Sequence, residues 1–266
     1  MIRAFFGLSK NPFDLEHLAL LSHQQDIYDT LKVHCQQGGL CLLLGEPGTG
    51  KSVIKRTIAE LAEKHLVTSS VSRTLHTYIN TIKILCHALG IEYEGNDFTC
   101  EKRLIEEAFQ LNRQGKVIIT LIDDAHLMDF HTLRKLRLLF EDFPKNHNLV
   151  LLGQPSLLVK MSLKVHDDIK SRVTYSVIIP KLNPDDMASF IFNQLDRTGL
   201  GHNTFSEDAL SLVVRSADGV LRKCRNLCLS CLLETVRAQK KCIDLDIVNR
   251  VLIQPHWRVS YDLEQI

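Results

Sequence analysis

The hydrophobic pattern of the chain up to residue 182 consists of short apolar runs separated by longer amphipathic segments. Apolar runs that are typical of buried strands occur at 40–44 and 117–122, and a β-branched run occurs at 173–179; residues 66–71 and 148–152 are also interpreted as strands. A helical period is present at 24–36, after the glycines that follow residue 44, and at 78–89, 100–112 and 131–143. Strands that alternate with helices predict an α/β fold, with a mainly parallel sheet covered by helices on both faces.

The pattern changes after residue 182, where no run typical of a strand remains. Helical periodicity occurs at 185–197, 206–217, 219–239 and 245–253. We therefore expect an α/β domain at 1–182 and a small all-helical domain at 183–253, which begins at Asn183 with Pro184 in the first helical position. The tail at 254–266 holds the only tryptophan, Trp257, and has no clear period, so it either packs back or awaits a partner.

The composition of the chain restricts its possible functions but does not indicate a specific one. The 266 residues are 45% hydrophobic and carry a net charge of only +1, so any binding to nucleic acid must come from a local patch. The eight cysteines, with no secretory leader before them, favour free thiols in a reducing compartment and thus a cytoplasmic protein. The longest apolar runs are too short to cross a bilayer, so no membrane insertion is expected.

Three cysteines could suggest a metal site. Cys224, Cys228 and Cys231 share one helical face, but the nearby leucines lie on that face too and no histidine joins them. We predict that these cysteines pack in the core.

The segment "GEPGTGKS" at 45–52 matches the phosphate-loop pattern GxxxxGK[ST] in full, and it lies between a predicted strand and a predicted helix. Glycines there let backbone N–H groups surround phosphate oxygens at a helix N-terminus, whereas a chance glycine-rich turn needs neither neighbour. Lys51 is expected to contact the β- and γ-phosphates, and Ser52 to bind Mg²⁺. The predicted nucleotide-binding residues are Gly45, Glu46, Pro47, Gly48, Thr49, Gly50, Lys51, Ser52 and Val53.

Two carboxylates end the run "VIITLIDD". A phosphate-loop enzyme needs an acidic residue on the magnesium side at the end of a neighbouring strand. Asp123 is therefore expected to bind the metal or its water ligand, and Asp124 to orient or deprotonate the attacking water; the alternative is a solvated strand end. His126 in "DDAH" is interpreted as a local turn or core residue.

Arg172 lies in "DDIKSRVTYSVIIPKL", just before the last predicted strand. Its only obvious partners nearby in sequence are Asp167 and Asp168. A surface ion pair, which contributes little to stability, is the simplest interpretation of this arginine alone.

These segments, followed by "GVLRKCRNLC", occur in the order of the motifs of AAA+ ATPases, and the chain resembles that family. The resemblance implies a P-loop sheet with a helical lid, ATP and Mg²⁺ as ligands, and assembly into a homo-oligomeric ring or helical filament. It also implies that Arg172 is an arginine finger that reaches the γ-phosphate held by an adjacent subunit. Arg222 corresponds to sensor 2, and Gln154, at the sensor 1 position, to a residue that holds the attacking water.

Finer features resemble the ExeA group, which is similar to the MuB and TniB transposition ATPases. They are "FFGLSKNPF", "LVLLGQPSLL" and "ADGVLRKCRNLCLSCLL". The chain departs from the usual AAA+ pattern at Asp124, where most members have glutamate, so hydrolysis is expected to be slow. Secretion-type ExeA proteins continue into a membrane span and a peptidoglycan-binding domain, and we expect neither in this protein.

The leading functional hypothesis is an ATP-dependent assembly factor that binds double-stranded DNA without sequence preference and recruits a transposase. Non-specific binding needs cations that face phosphates. The candidate DNA contacts are Arg73, His76, Arg134, Lys135 and Arg137, for which a solvated helix face is the alternative. Two other hypotheses remain: an ATPase of secretion or the cell envelope that acts with a membrane partner, and a nucleotide switch with negligible turnover.

Overall fold

The computed structural model describes residues 1–14, 20–60, 66–71, 77–92 and 96–257. Within them the strands are β1 Gly39–Leu44, β2 Leu66–Val71, β3 Val117–Ile122, β4 Asn148–Gly153 and β5 Val173–Ile178. The helices are α1 Ile2–Phe6, α2 Ser22–Gln37, α3 Lys51–Glu60, α4 Tyr78–Ala88, α5 Asp97–Arg113, α6 Phe130–Glu141, α7 Ser156–Met161, α8 Asp167–Lys170, α9 Pro184–Asp196, α10 Glu207–Ala217, α11 Leu221–Arg237 and α12 Leu245–Leu252. None of the described helices is long and apolar enough to cross a membrane.

The described chain divides into two compact units. One comprises residues 19–179, and the other comprises residues 1–18 together with 180–266. The first helix therefore belongs with the helical unit, whereas the sequence pattern assigned it to the α/β domain; α1 packs on α11 and buries Ile2. The expected boundaries 1–182, 183–253 and 254–266 stay a prediction.

The sheet has the strand order β2-β3-β4-β1-β5, and each pairing is parallel. In the register of β1, Leu44 faces Gly153 on one side and Ile178 on the other. Because the strands are parallel, the segments that follow β1, β3 and β4 all leave the sheet at the same edge, which we call the carboxyl edge.

Both faces of the central strands β1, β3 and β4 are buried, whereas β5 alternates between half-buried and exposed residues. Along β1, Leu40, Leu42 and Leu44 belong to one core cluster, whereas Cys41 and Leu43 belong to the other. Residues from α4, α5, α6 and α7 complete the first cluster, and residues from α2 and α3 complete the second. This two-sided burial explains the near-continuous apolar runs and confirms the predicted α/β sheet between helices.

The first helix after the sheet, α9, has the predicted start, although the compact unit itself includes residues 1–18 and resumes at residue 180. The Asn183 side-chain oxygen accepts a hydrogen bond from the Asp186 N–H at 2.8 Å, and Pro184 occupies the first turn of α9. Cys224, Cys228 and Cys231 are 0% exposed in α11, which confirms the predicted core packing. The last two have C-x-x-C spacing, but burial raises the pKa of the Cys228 thiol and so disfavours the thiolate that binds metals.

Three short helices, α1, α7 and α8, were not predicted. Each is too short to show the helical period from which helices are recognised in sequence. The helices α7 and α8 fill the connection between β4 and β5, and they place Arg172 directly before β5.

Candidate nucleotide-binding site

The phosphate loop, residues 45–52, connects β1 to α3 at the carboxyl edge. Gly48 and Gly50 have φ angles of +89° and +106°, which side chains other than glycine rarely adopt. The Val53 N–H donates to the Gly50 carbonyl at 2.9 Å, so the loop passes directly into the first turn of α3. The N-terminus of this helix therefore faces the loop, an arrangement that favours an anion.

Close packing restricts the residue at the start of the loop. The Gly45 N–H donates to the Gly153 carbonyl at 3.0 Å, which fastens the loop to β4. A Cβ added at Gly45 would lie 2.7 Å from Thr49 Oγ1, so any larger residue here would displace the Thr49 hydroxyl. The Thr49 hydroxyl donates to the Glu46 carbonyl at 2.9 Å and closes the loop on itself.

The Lys51 ammonium lies across the loop. Its Nζ donates to the Gly45 carbonyl at 2.6 Å and to the Glu46 carbonyl at 2.9 Å. A cation held by these carbonyls, above a turn of positive-φ glycines, provides the donors that a phosphate group needs. The loop thus fits the phosphates of a nucleotide.

Asp123 directly follows β3 at the same edge. Its Oδ2 pairs with Lys55 Nζ at 2.9 Å, and the two side chains are only 19% and 16% exposed. Lys55 lies one helical turn after Lys51, and this four-residue spacing is the signal by which sequence analysis could have found it. Ser52 is exposed at the start of α3, so a hydroxyl and a carboxylate of the kinds that bind Mg²⁺ belong to the elements that form this edge.

Asp124 has a left-handed backbone, with φ +52°, and an exposed side chain. Its N–H donates to Asp123 Oδ1 at 3.0 Å. Such conformations are costly for residues other than glycine and are concentrated at functional sites. The strand end therefore projects the carboxylate of Asp124 outward instead of into the sheet.

Gln154 follows β4, the strand between β3 and β1. The loop, Asp123 and Gln154 thus lie at the ends of three consecutive strands of the sheet. Because β4 separates β3 from β1, the strand that Asp123 follows is not the direct neighbour that was expected. Gly153, which precedes Gln154, packs against the turn after β3: an added Cβ would lie 3.3 Å from the His126 backbone nitrogen.

His126 is buried in a 3₁₀ turn at Ala125–Leu127, which confirms its interpretation as a turn or core residue. Burial lowers the pKa of its imidazole, and its Nδ1 has no hydrogen-bond partner within the described residues. Lys160 Nζ donates to the His126 carbonyl at 3.1 Å, which ties α7 to this turn.

Gln24 of α2 also supports the loop. Its Nε2 donates to the Thr49 carbonyl at 3.3 Å, its Oε1 accepts from the Leu21 N–H at 3.1 Å, and it is 1% exposed. Sequence analysis missed this residue, and nothing in the local pattern distinguishes it from other glutamines.

Arg172 lies at the opposite edge of the sheet, the amino edge, because it precedes β5. Its Nη2 is 3.0 Å from Glu141 Oε1 of α6, and its side chain is 61% exposed. The surface ion pair considered for Arg172 is present, but its partner is Glu141 instead of Asp167 or Asp168, and Asp168 of α8 pairs with Arg134.

The candidate DNA contacts on α6 have partners within the chain. Arg134 binds Asp168 through Nε at 2.7 Å and through Nη2 at 3.2 Å, and these bonds lower the pKa of the Asp168 carboxyl. Arg137 Nη1 is 2.7 Å from Glu141 Oε1, and Lys135 Nζ lies 5.2 Å from the centre of the Tyr78 ring. The other two candidates, Arg73 and His76, fall outside the described residues.

Arg222 is an exposed residue in the first turn of α11, in the helical unit. Its predicted role towards the nucleotide stays a prediction.

Comparison with known proteins agrees with this geometry. Residues 33–161 match the family model described as AAA domain. The chain is 25% identical to general secretion pathway protein A of Aeromonas hydrophila, in an alignment that covers 86% of this chain and 44% of that protein. This chain therefore spans less than half the length of that relative.

Solved structures share the fold at low sequence identity. The ORC2 protein of Aeropyrum pernix has a TM-score of 0.72 at 13% identity, covering 96% of this chain and 74% of that one. The ORC1 protein of the same organism, solved in complex with DNA, has a TM-score of 0.67 at 15% identity, covering 86% and 63%. The Holliday junction branch migration motor RuvB of Thermotoga maritima has a TM-score of 0.61 at 16% identity, covering 95% and 76%. The chain thus has the fold of AAA+ P-loop ATPases, carries an AAA domain match at residues 33–161, and is similar to general secretion pathway protein A.

Proposed function

We propose that this protein is an ATPase whose active site is completed by two copies of the chain. The observation that carries the proposal is the position of two cations at opposite edges of one sheet. Lys51 follows β1 and Arg172 precedes β5, and these strands are parallel neighbours in which Leu40 faces Val173. Six strand residues at about 3.3 Å each separate the two edges by roughly 20 Å, which is longer than an arginine side chain. Arg172 can therefore reach a nucleotide only when another copy holds it.

The residues at the carboxyl edge would bind ATP and activate water. Lys51 and the loop N–H groups hold the phosphates, while Ser52 and Asp123 are the residues that would hold Mg²⁺. When bound, Mg²⁺ neutralises charge on the β- and γ-phosphate oxygens. Asp123 must exchange its ion pair with Lys55 for that role.

Asp124 and Gln154 are the residues proposed to act on the attacking water. Asp124 accepts the proton of the water, and the Gln154 amide orients it towards the γ-phosphate. Because the Asp124 side chain is one methylene shorter than glutamate, we expect slow turnover. The guanidinium of Arg172, supplied by the adjacent copy, stabilises charge on the transferring phosphoryl group.

The test is the specific ATPase rate measured over a range of protein concentrations. The wild-type rate should rise with concentration, because assembly completes the site, whereas Arg172→Ala should lower the rate by roughly 10³-fold or more. Binding of a fluorescent ATP analogue should persist in Arg172→Ala and be lost in Lys51→Ala. Lys170→Ala, which removes a neighbouring exposed cation, is the matched control. A rate that is independent of concentration and equal in Arg172→Ala would refute the proposal.

We further propose that the assembled ATPase binds double-stranded DNA without sequence preference and recruits a transposase. The likeness to ORC1, solved in complex with DNA, and to the branch migration motor RuvB supports a DNA-directed role. Since Arg134 and Arg137 pair with carboxylates, the proposed contact on α6 depends mainly on the exposed Lys135.

DNA binding is tested with a non-hydrolysable ATP analogue across a salt series. Binding should require the analogue and should weaken as the salt concentration rises. Lysine and arginine side chains that bind DNA phosphates release counterions from the DNA, and added salt opposes this release. Binding that depends on neither nucleotide nor salt would remove the DNA-directed role.

The second candidate is an ATPase of the secretion or envelope machinery. Its support is the 25% identity to general secretion pathway protein A over 86% of this chain. A protein assembly would then be the substrate instead of DNA. In that case duplex DNA should leave the ATPase rate unchanged, whereas the DNA-directed role predicts a change of rate.

A further inference from the structure

Two guanidinium groups meet at a single carboxylate oxygen on the amino edge. Glu141 Oε1 is 2.7 Å from Arg137 Nη1 and 3.0 Å from Arg172 Nη2. Arg137 and Glu141 belong to α6, whereas Arg172 precedes β5, so the cluster forms only in the folded chain. Two like charges in such proximity need an anion between them, and Glu141 supplies it in this structure.

The cluster lines a pocket of about 390 Å³ at the amino edge. The charged groups in its wall are Arg137, Lys145 and Arg172 against the single carboxylate of Glu141. His147 also lines the pocket, but burial lowers its pKa to about 3, so its imidazole is neutral at pH 7. The excess of cations suits an anionic group that enters from outside.

The two arginines differ in how they are held. The Arg137 side chain is 15% exposed, whereas the Arg172 side chain is 61% exposed. The Nε of Arg137 is buried and has no hydrogen-bond partner in the part of the chain that the structure describes. The guanidinium of Arg137 is thus held in place beside the exposed Arg172 side chain and has N–H donors that are not all used in hydrogen bonds.

From this arrangement we propose that Arg137 and Arg172 together bind the terminal phosphoryl group of a nucleotide held by a second copy of the chain. Glu141 occupies the place of that group until the copies meet. Carboxylate and phosphoryl oxygens accept the same paired N–H donors of guanidinium, so one can replace the other. The inference rests on the proposed ATPase function and assigns Arg137 to the nucleotide, although its sequence pattern made it a candidate DNA contact.

The first test is subunit mixing. Arg137→Ala alone should lose roughly 10- to 100-fold in ATPase rate, the loss expected when a charged hydrogen bond to the reacting group is removed. Its own nucleotide affinity should not change. Lys51→Ala protein binds no nucleotide but keeps both arginines, so adding it should restore activity to Arg137→Ala. Lys170→Ala alone should keep the wild-type rate.

The outcomes separate this inference from the proposed function. If Arg172→Ala is inactive and is rescued by Lys51→Ala, while Arg137→Ala has the wild-type rate, the role of Arg137 is wrong and the two-copy ATPase stands. If Arg137→Ala is inactive without rescue, Arg137 acts within its own chain and the inference is overturned. If neither arginine affects the rate, the proposed function itself fails.

Arg137→Lys guards against a loss of folding in the alanine variant. It keeps the charge without the planar fork, so its rate should lie between those of the wild type and Arg137→Ala, with an unchanged unfolding temperature. A wild-type rate in Arg137→Lys together with a misfolded Arg137→Ala would assign Arg137 a structural role and overturn the inference.

Glu141→Gln tests whether Glu141 occupies the place of the phosphoryl group before the copies meet, which we call its placeholder role. Removal of the carboxylate should lower the protein concentration for half-maximal ATPase activity by roughly two- to fivefold, since the pair that must open to free the exposed Arg172 contributes little. A higher concentration requirement would contradict the placeholder role. Inorganic phosphate tests whether the bound group is free phosphate. Two results together would identify free phosphate and overturn the role of the second copy: tight binding of phosphate to the Lys51→Ala protein that is lost in the Lys51→Ala/Arg137→Ala double variant, and no rescue of activity when the single variants are mixed.

Discussion

His147 should make the protein less stable as the pH falls, and the structure sets the size of the effect. Its imidazole is 6% exposed, stacks on Phe140 at 4.6 Å between ring centres, and lies 4.9 Å from the Phe143 ring. Its Nε2 is 3.1 Å from Thr120 Oγ1, which is its hydrogen-bond partner. Burial lowers the pKa of His147 to about 3, because a charged imidazole would lose its hydration there.

The sign of the effect follows from proton binding. In the unfolded chain a histidine has a pKa of about 6.5, so between pH 6.5 and pH 3 the unfolded state binds a proton that the folded state does not. The contribution of neutral His147 to stability is complete above about pH 6.5 and is lost progressively as the pH falls towards 3. At pH 5 the loss amounts to about 2 kcal/mol, at 1.36 kcal/mol for each pH unit below the unfolded pKa.

The assay is urea unfolding at pH 7.5 and pH 5.0. The wild-type protein should lose about 2 kcal/mol more free energy of unfolding between these pH values than His147→Gln does. His131→Gln, a change of an exposed histidine on α6, should behave as the wild type. Other groups titrate equally in all three proteins, so their contributions cancel in the comparison. An equal loss in His147→Gln and in the wild type would refute the reasoning.

Three further predictions concern stability, each measured by urea unfolding at pH 7.5. Leu42→Ala, at a position 0% exposed in β1, should lower the free energy of unfolding by about 3–5 kcal/mol through lost burial and a cavity. Gly38→Ala should cost clearly more than Gly90→Ala: both glycines have positive φ, but an added Cβ at Gly38 would overlap a backbone carbonyl oxygen, whereas one at Gly90 would meet no atom of the described residues within 4 Å. Lys55→Met and Asp123→Asn should each cost about 1–3 kcal/mol, and together less than the sum, because they remove the same partly buried ion pair; strict additivity would contradict the pair.

The sequence predicted the elements whose signals are local. The strands at Leu66–Val71 and Val117–Ile122 have the predicted bounds. Val117–Ile122 is a nearly continuous apolar run, which is typical of a strand buried on both faces, whereas Leu66–Val71 (LVTSSV) is apolar only towards its two ends. The helix α6 differs from its predicted bounds by one residue at the start and two at the end, where helix ends depend on capping: Asp129 caps α6 by accepting from the Thr132 N–H. The phosphate loop was found because its function lies in eight consecutive residues.

The rest of the site depends on residues far apart in sequence. The pairing of Lys55 with Asp123, and of Glu141 with Arg172, is fixed by strand order and by the packing of helices, neither of which appears in a periodic pattern. The nearby partners that the sequence offered for Arg172, Asp167 and Asp168, differ from the observed one for the same reason: Asp168 pairs with Arg134, and Arg172 pairs with Glu141. Sequence patterns thus indicated the candidate site residues but not the side chains that pair with them.

The two edges of the sheet constrain the assembly. If the phosphate loop of one copy meets the Arg172 edge of the next, the contact joins different surfaces and is head-to-tail. In any dimer, such a contact leaves the phosphate loop of one copy and the Arg172 of the other without a partner from the neighbouring copy. A dimer therefore completes at most one of its two sites. Repetition of the contact either closes a ring or extends a filament. The specific ATPase rate should therefore continue to rise beyond the concentration at which dimers form, because each added copy completes another site.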